Sequence, residues 1–246
     1  MHVRKLKDKY HNVSLIYDQL MSGINYRFWA KYVYQLIRSY HKNKNSSVLE
    51  LAAGNGNLTK FLYKKFKDYV VSDKSISMLK NFKVSQLHTI CFDMLFPSVS
   101  KEFDVILCSF DSVNYILSKK KLKIFFNNIS SLMKEDGIFL FDVGLVRNSL
   151  HHQKYASKSG SINDVKFSRV SIFLPKSKIH KNIFEFYFND GTKRIEIHRQ
   201  KIFELNTLFD IIDQSNLYVV DCFNAFTFKD CKENNFRAQF VVKRKN

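Results

Sequence analysis

The sequence predicts an α/β chain: a doubly wound, mostly parallel sheet of seven strands, with helices ahead of it and an antiparallel β lid inserted into it. Three observations lead there. Short apolar runs alternate with helical stripes between residues 46 and 144, the pattern of strands joined by crossover helices. The first of these runs, Val48-Leu-Glu-Leu-Ala-Ala-Gly-Asn-Gly-Asn57, ends in a glycine turn that opens onto a helix. From about residue 162 to 203 the period switches to two, as in hairpin-linked strands.

The chain starts with helical spacing over residues 14–41: Leu15, Ile16 and Leu20, then Phe28, Trp29, Tyr32, Val33, Leu36 and Ile37, broken around Gly23. Residues 46–53 form the first strand, and Leu58, Phe61, Leu62 and Phe66 stripe the helix after it. Asp68-Tyr-Val-Val-Ser-Asp73 is the second strand; Ser75 caps a short helix. Strand three covers residues 86–92 and strand four residues 102–108. Ser118 caps a helix striped by Leu122, Phe125, Phe126, Ile129, Leu132 and Met133. Asp136-Gly137 turns into strand five, Ile138-Phe-Leu-Phe-Asp142. Residues 145–161 are polar and read as a mobile connection. The lid strands are 165–174, 179–188 and 193–203, with Asn189-Asp-Gly191 as a hairpin turn. A helix over 205–214 and strands over 217–226 and 236–243 finish the sheet.

Composition bounds the partners. Of 246 residues, 45% are hydrophobic, which suits a globular chain with one sizeable core. The expected organisation is a single domain over 1–246: a helical cap (1–45), a core (46–144 and 204–246) and the lid (145–203). No apolar stretch is long enough to cross a bilayer, and Met1–Lys7 lacks the apolar segment of a signal peptide. A cytoplasmic monomer or homodimer is expected. Cys91, Cys108, Cys222 and Cys231 form no C-x-x-C and read as reduced, buried thiols. His151-His152 reads as solvated loop, and no metal is expected. The net charge of +18 admits a polyanion partner such as nucleic acid. However, the basic residues are scattered (Lys5 and Lys7, Lys64-Lys65, Lys119-Lys-Lys121, Lys243-Arg-Lys245) with no stacking motif beside them, which favours compositional drift.

Ligands of doubly wound sheets lie beyond the carboxyl ends of the strands, so Gly54, Asp73, Asp93, Asp111 and Asp142 should face the site. Asp73 follows Gly54 by 19 residues, close to the spacing of about 20 at which an acid meets a ribose hydroxyl. The third glycine of a dinucleotide turn is replaced by Thr59, and Glu50 sits inside the strand. A carboxylate aimed at the turn repels phosphate and suits a ligand carrying ammonium and sulfonium charges, which points to S-adenosylmethionine. A bare turn holding another ligand, or none, is the alternative.

These stretches, with Ser72-Asp-Lys-Ser-Ile-Ser-Met-Leu79, Phe92-Asp-Met94 and Phe103-Asp-Val-Ile-Leu-Cys108, resemble successive motifs of the class I S-adenosylmethionine-dependent methyltransferases. Ile16-Tyr-Asp-Gln-Leu-Met21 with Tyr26 and Trp29, Asp111-Ser-Val-Asn-Tyr115, and Glu196-Ile-His-Arg-Gln200 are similar to a narrower group, small bacterial methyltransferases akin to amino-sugar and glycine N-methyltransferases. The resemblance implies a Rossmann-like core with an antiparallel lid, and S-adenosylmethionine as cofactor. It puts Gly54 and Gly56 at the methionine end, with Ala52 where the family usually has glycine. It gives Asp73 the ribose hydroxyls, Asp93 the adenine amino group and Met94 the adenine face. Cys108 and Ser109 lie by the methionine portion, and Tyr17, Tyr26 and Trp29 close over the cofactor. Glu50, Lys74 and Met78 complete the expected cofactor set. Lys74 stands where an apolar residue is common, and Lys134-Glu-Asp-Gly137 replaces a proline-glycine-glycine turn.

Methyl transfer from a sulfonium depends mainly on positioning and desolvation, with a base helping a protonated acceptor. Asp111 and His198 are the catalytic candidates, and Asp111, Asn114, Tyr115, Glu196 and His198 the candidates for meeting the acceptor. Glu196 and His198 lie two apart on a strand and so share a face; the competing role for both is to stabilise the lid. A small-molecule acceptor, methylated on nitrogen or oxygen, is the expected substrate. An RNA or protein acceptor on the basic surface, or cofactor binding without catalysis, is the alternative.

Overall fold

The computed structural model describes residues 8–43, 45–155 and 157–245; Met1–Lys7, with the basic pair Lys5 and Lys7, lies outside them. Two helices come first, α1 (Val13–Leu20) and α2 (Tyr26–Tyr40), the second capped by the Asn25 side chain, which accepts from the Phe28 amide. The core strands are β1 (Ser47–Leu51), β2 (Asp68–Asp73), β3 (Thr89–Cys91), β4 (Phe103–Cys108) and β5 (Met133–Gly144). Between them run α3 (Thr59–Leu62), α4 (Ile76–Lys80) and α5 (Lys119–Ser131). After β5 come α6 (Val146–Lys154) and the lid strands β6 (Ser157–Ile162), β7 (Val165–Leu174), β8 (Ile179–Phe188) and β9 (Lys193–Lys201). The chain closes with α7 (Leu205–Asp213), β10 (Leu217–Asn224) and β11 (Arg237–Arg244).

The core sheet has the order β10-β11-β5-β4-β1-β2-β3 and is parallel except at β11, which runs antiparallel to both its neighbours. The expected seven-stranded, doubly wound architecture is therefore present. Successive residues of β4 explain the two layers: Ile106 and Cys108 pack on the side of α5 and α7, Val105 and Leu107 on the side of α2 and α3. The chain turns from building outward through β2 and β3 to building outward through β4 and β5 at the β1/β4 boundary, which fixes the ligand crevice there.

The lid forms a separate four-stranded antiparallel sheet in the order β6-β7-β8-β9. Its inner face is divided. Phe167, Phe184 and Phe186 bury themselves against Val13 and Ile16 of α1; farther along the same strands Ser171, His180, His198 and Gln200 are buried.

Several sequence readings need correction. The polar stretch 145–161 contains α6 and β6. Only Ser149 of α6 is buried, and β6 pairs with β7 through its backbone, so neither carries an apolar period. β3 is three residues long, shorter than the run that suggested it. Asp136-Gly137 lies inside β5, which starts at Met133 with a register shift against β4. Of the cysteines only Cys108 is buried; Cys91 is exposed on the short β3, and Cys222 and Cys231 are half-buried.

Candidate active site

The turn after β1 is shaped by backbone conformation. Ala52, Gly54 and Gly56 all have positive φ, at 51°, 61° and 77°. A side chain on Gly54 would meet the Met78 methyl at 3.1 Å, and one on Gly56 would overlap the Phe82 ring. Bare backbone therefore faces the crevice, with Met78 beneath it and the Tyr17 hydroxyl nearby. Asn55 and Asn57 both donate to Asp18 of α1, at 2.8 and 2.9 Å, which fastens the turn to the N-terminal helix.

At the end of β2, Asp73 accepts the Gly54 amide on one carboxylate oxygen and the Ser75 amide on the other, each at 2.8 Å. Each oxygen keeps a further lone pair. Burial raises its pKa, and the two amides oppose that rise. The arrangement fits the two ribose hydroxyls of S-adenosylmethionine. Asp93 accepts the Leu95 amide at 3.1 Å and pairs with Lys74. That ion pair is largely solvated, and such pairs are weakly held. Met94 touches Cys108, sulfur to sulfur at 3.9 Å, giving this side of the crevice an apolar wall. On the opposite side, Trp29 lies 3.9 Å from Phe110 and Tyr26 lies 5.3 Å from it, ring centre to ring centre. The Tyr26 hydroxyl, the Trp29 indole nitrogen and Asn55 Oδ1 are buried without partners among the described residues.

Glu50 does not behave as the sequence suggested. Its Oε2 accepts from Thr59 Oγ1 and from the Tyr69 hydroxyl, both at 2.7 Å, inside the protein. Burial pushes its pKa up to about 7 against those two hydrogen bonds. It ties β1, α3 and β2 together behind the turn.

At the end of β4 the chain takes two consecutive left-handed residues, Phe110 (φ 60°) and Asp111 (φ 48°), uncommon outside glycine. Asp142, at the end of the neighbouring strand, accepts both of their amides at 2.8 Å, one per carboxylate oxygen. Arg237 of β11 pairs with Asp142 and donates to Asp111 Oδ1 at 3.0 Å, its guanidinium lying 5.3 Å from the Trp29 ring centre. Burial lowers the Arg237 pKa, but the two carboxylates overcome it and hold the guanidinium charged. The other Asp111 oxygen accepts from Gln200 of the lid at 2.7 Å. Ser109, just before the pair, is buried, and its carbonyl accepts from Ser112. Sequence reasoning gave no role to Phe110, Arg237, Gln200 or Tyr10. Arg237 comes from a strand 95 residues beyond Asp142, and no local pattern marks it.

The remaining candidates are mostly occupied. Asn114 donates to the Gly144 and Lys201 carbonyls and accepts the Gly144 amide, so it pins the lid's base and is 2% exposed. Glu196 accepts the Asn12 amide and side chain and the Val13 amide, binding the start of α1. His198 is buried between Tyr10 (ring centres 4.4 Å apart) and Phe184, its Nε2 turned toward Glu196 at 3.6 Å. The Tyr115 hydroxyl accepts from that of Tyr10 at 2.6 Å. Of the predicted acceptor residues, Asp111 follows β4 with Arg237 on one oxygen and Gln200 on the other, whereas Asn114, Glu196 and His198 hold the lid and α1 in place.

Residues 48–137 match the methyltransferase domain family. A protein of Geobacillus sp. (strain WCH70) with a provisional methyltransferase name is 25% identical over 245 residues, covering 96% of this chain and 99% of its own. An S-adenosylmethionine-dependent methyltransferase structure from Clostridium acetobutylicum ATCC 824 superposes with a TM-score of 0.78 at 23% identity, over 96% of this chain and 99% of that one. An amino pentose methyltransferase from Micromonospora echinaspora, solved with S-adenosylmethionine bound, gives a TM-score of 0.70 at 14% identity, over 94% and 97%. Residues 48–137 thus carry a methyltransferase domain, with the Gly54 turn and the Asp73 carboxylate at the switch point, and the whole chain shares the fold of these S-adenosylmethionine-dependent methyltransferase structures.

Proposed function

We propose that the chain transfers a methyl group to a nitrogen or oxygen of a small acceptor held between the ends of β4 and β5 and the lid. The observation that carries this reading is the Gln200–Asp111 hydrogen bond, which closes a buried polar lid face over the end of β4. The amino-sugar specificity of the Micromonospora relative agrees with an acceptor of that size.

S-adenosylmethionine supplies a methyl group on a sulfonium, a good leaving group. In our reading Asp73 binds the ribose, the Gly54 turn receives the methionine end, and Asp93, released from Lys74, takes the adenine amino group. Tyr17, Tyr26 and Trp29 exclude water from above. Asp111 is the catalytic residue: each of its oxygens keeps a lone pair that can accept an N–H or O–H of the acceptor and aim the nucleophilic lone pair. Arg237 and Asp142 position Asp111, and His198 positions the lid.

The test is methyl transfer from labelled S-adenosylmethionine into metabolite pools and into stripped RNA. Label should enter the small-molecule fraction. Incorporation only into RNA, falling steeply with salt, would refute the small-acceptor reading. Asp111→Asn tolerates the left-handed backbone and should slow transfer on the order of 100-fold, the lower range for a group that handles the acceptor's proton, while S-adenosylmethionine still binds. Transfer at the wild-type rate would remove Asp111 from the mechanism.

A further inference from the structure

We infer that the acceptor carries an anionic oxyacid group, a carboxylate or a phosphate, and that Arg169 with His180 on the lid's inner face receives it. This rests on the small-acceptor reading above and narrows its substrate class.

Strand register places the groups. Arg169 alternates with the same-face residues Phe167, Ser171 and Phe173 along β7, all three buried. Across the strand pairs, Phe173 faces His180, His180 faces Gln200, and Ser171 faces Asn182. Arg169, His180 and Gln200 therefore share the inner face, the one that Gln200 anchors to Asp111. His152 of α6 approaches the same place, its ring centre 6.0 Å from that of His180.

Satisfaction singles out two of these groups. Arg169 is half-buried; its Nε is fully buried with no hydrogen-bond partner, and it forms no ion pair among the described residues. His180 is 3% exposed, and its Nδ1 is likewise buried and unpartnered. Leaving a charged donor buried without an acceptor is costly. The carboxylates on neighbouring elements are already engaged: Glu196 with Asn12 and Val13, Asp111 with Arg237 and Gln200. The ten residues outside the described segments contain no Asp or Glu. Burial lowers the pKa of Arg169, and burial lowers that of His180 as well, with the Arg169 charge adding to the effect. An incoming anion would reverse these trends. The planar guanidinium suits a carboxylate or phosphate bidentately.

The probes are inorganic phosphate and malonate, titrated at fixed ionic strength into 15N-labelled protein, with chloride as the reference ion. We expect a saturable shift of the Arg169 Nε–H signal and of the His180 ring signals with phosphate, malonate or both. The tighter of the two identifies the oxyacid. Arg169→Gln should weaken the response at least tenfold, Arg169→Lys should keep part of it, and calorimetry should give both variants wild-type affinity for S-adenosylmethionine. No saturable shift at Arg169 in the wild type, or an equal His180 response in Arg169→Gln, would overturn the proposal. So would a loss of S-adenosylmethionine affinity in Arg169→Gln, because the arginine would then hold the cofactor's own carboxylate. Absence of S-adenosylmethionine binding by the wild type is a separate result: it strikes the function proposed above, whatever the anion titration shows.

Discussion

The Glu196 carboxylate accepts the Asn12 amide at 2.6 Å across 184 residues of sequence. It also takes the Asn12 side chain at 2.7 Å and the Val13 amide at 3.2 Å. An acid from β9, the last strand of the lid, thus closes the N-terminus of α1, where free amides and the helix dipole favour negative charge. Since α1 also brings Tyr17 beside the Gly54 turn, the lid and that turn are linked through α1.

Glu196→Ala should therefore destabilise the protein by about 2–3 kcal/mol, the upper part of the range for hydrogen bonds to a charged partner. That corresponds to roughly 4–12 °C in melting temperature for a chain of this size. Thermal unfolding with and without S-adenosylmethionine checks it. The variant should also bind the cofactor more weakly, because α1 loses its anchor. A variant that melts and binds as the wild type does would show that α1 is held by its apolar contacts with the lid alone.

Asp73 gives the most direct test of cofactor binding. It holds the turn through the Gly54 and Ser75 amides and has lone pairs left for both ribose hydroxyls. Losing a hydrogen bond to a charged group costs about 1.5–3 kcal/mol, so Asp73→Ala should weaken S-adenosylmethionine binding tenfold or more by calorimetry. Unchanged affinity in a folded variant would move the ribose elsewhere.

What could be read from the sequence follows how local each relationship is. The Gly54–Asp73 pairing spans one strand-turn-helix-strand unit, so spacing alone exposes it, and the alternation of apolar runs exposes the sheet. The position of Asp111 at the end of β4 is legible because it follows an apolar run. Its partners Gln200 and Arg237 lie 89 and 126 residues away, beyond any periodic signal. The Glu196/His198 pair was correctly placed on one strand face, but only the fold shows that this face meets α1. Glu50 misled for a related reason: its position in β1 is legible, but the hydroxyls of Thr59 and Tyr69 decide where its carboxylate goes. The aromatic alternation of β8 marks an inner face, yet that apolar half is spent on Val13 and Ile16, and the polar half farther along was left unread.

Ala52 occupies a left-handed position, φ 51°, which costs an L-residue about 1–2 kcal/mol. Glycine there removes that cost and adds roughly 0.5–1 kcal/mol of chain entropy. Ala52→Gly should accordingly be neutral to stabilising by up to about 1.5 kcal/mol, in contrast to glycine substitutions within the strands. Denaturant unfolding measures it. A clear loss of stability would mean that the Ala52 methyl makes packing contacts worth more than the backbone strain.

Glu50 should leave a signature in the pH dependence of stability. Its ordinary pKa is 4.5, and burial raises it to about 7 in the folded chain. Between these values the folded state holds a proton that the unfolded state has lost. Stability contributed by this group therefore falls as pH rises from about 4.5 to about 7 and is level above that. At 1.36 kcal/mol per pKa unit the penalty is on the order of 3 kcal/mol above pH 7. Glu50→Gln keeps an oxygen to accept from Thr59 or Tyr69 and carries no charge at any pH. Its stability relative to the wild type should be near zero at pH 4.5 and should climb toward pH 8, with most of the gain appearing between pH 5 and 7. Urea unfolding of both proteins across that range provides the comparison. A difference that stays flat with pH would mean that Glu50 ionises in the folded chain as readily as in water, and that the hydroxyls of Thr59 and Tyr69 fully offset its burial.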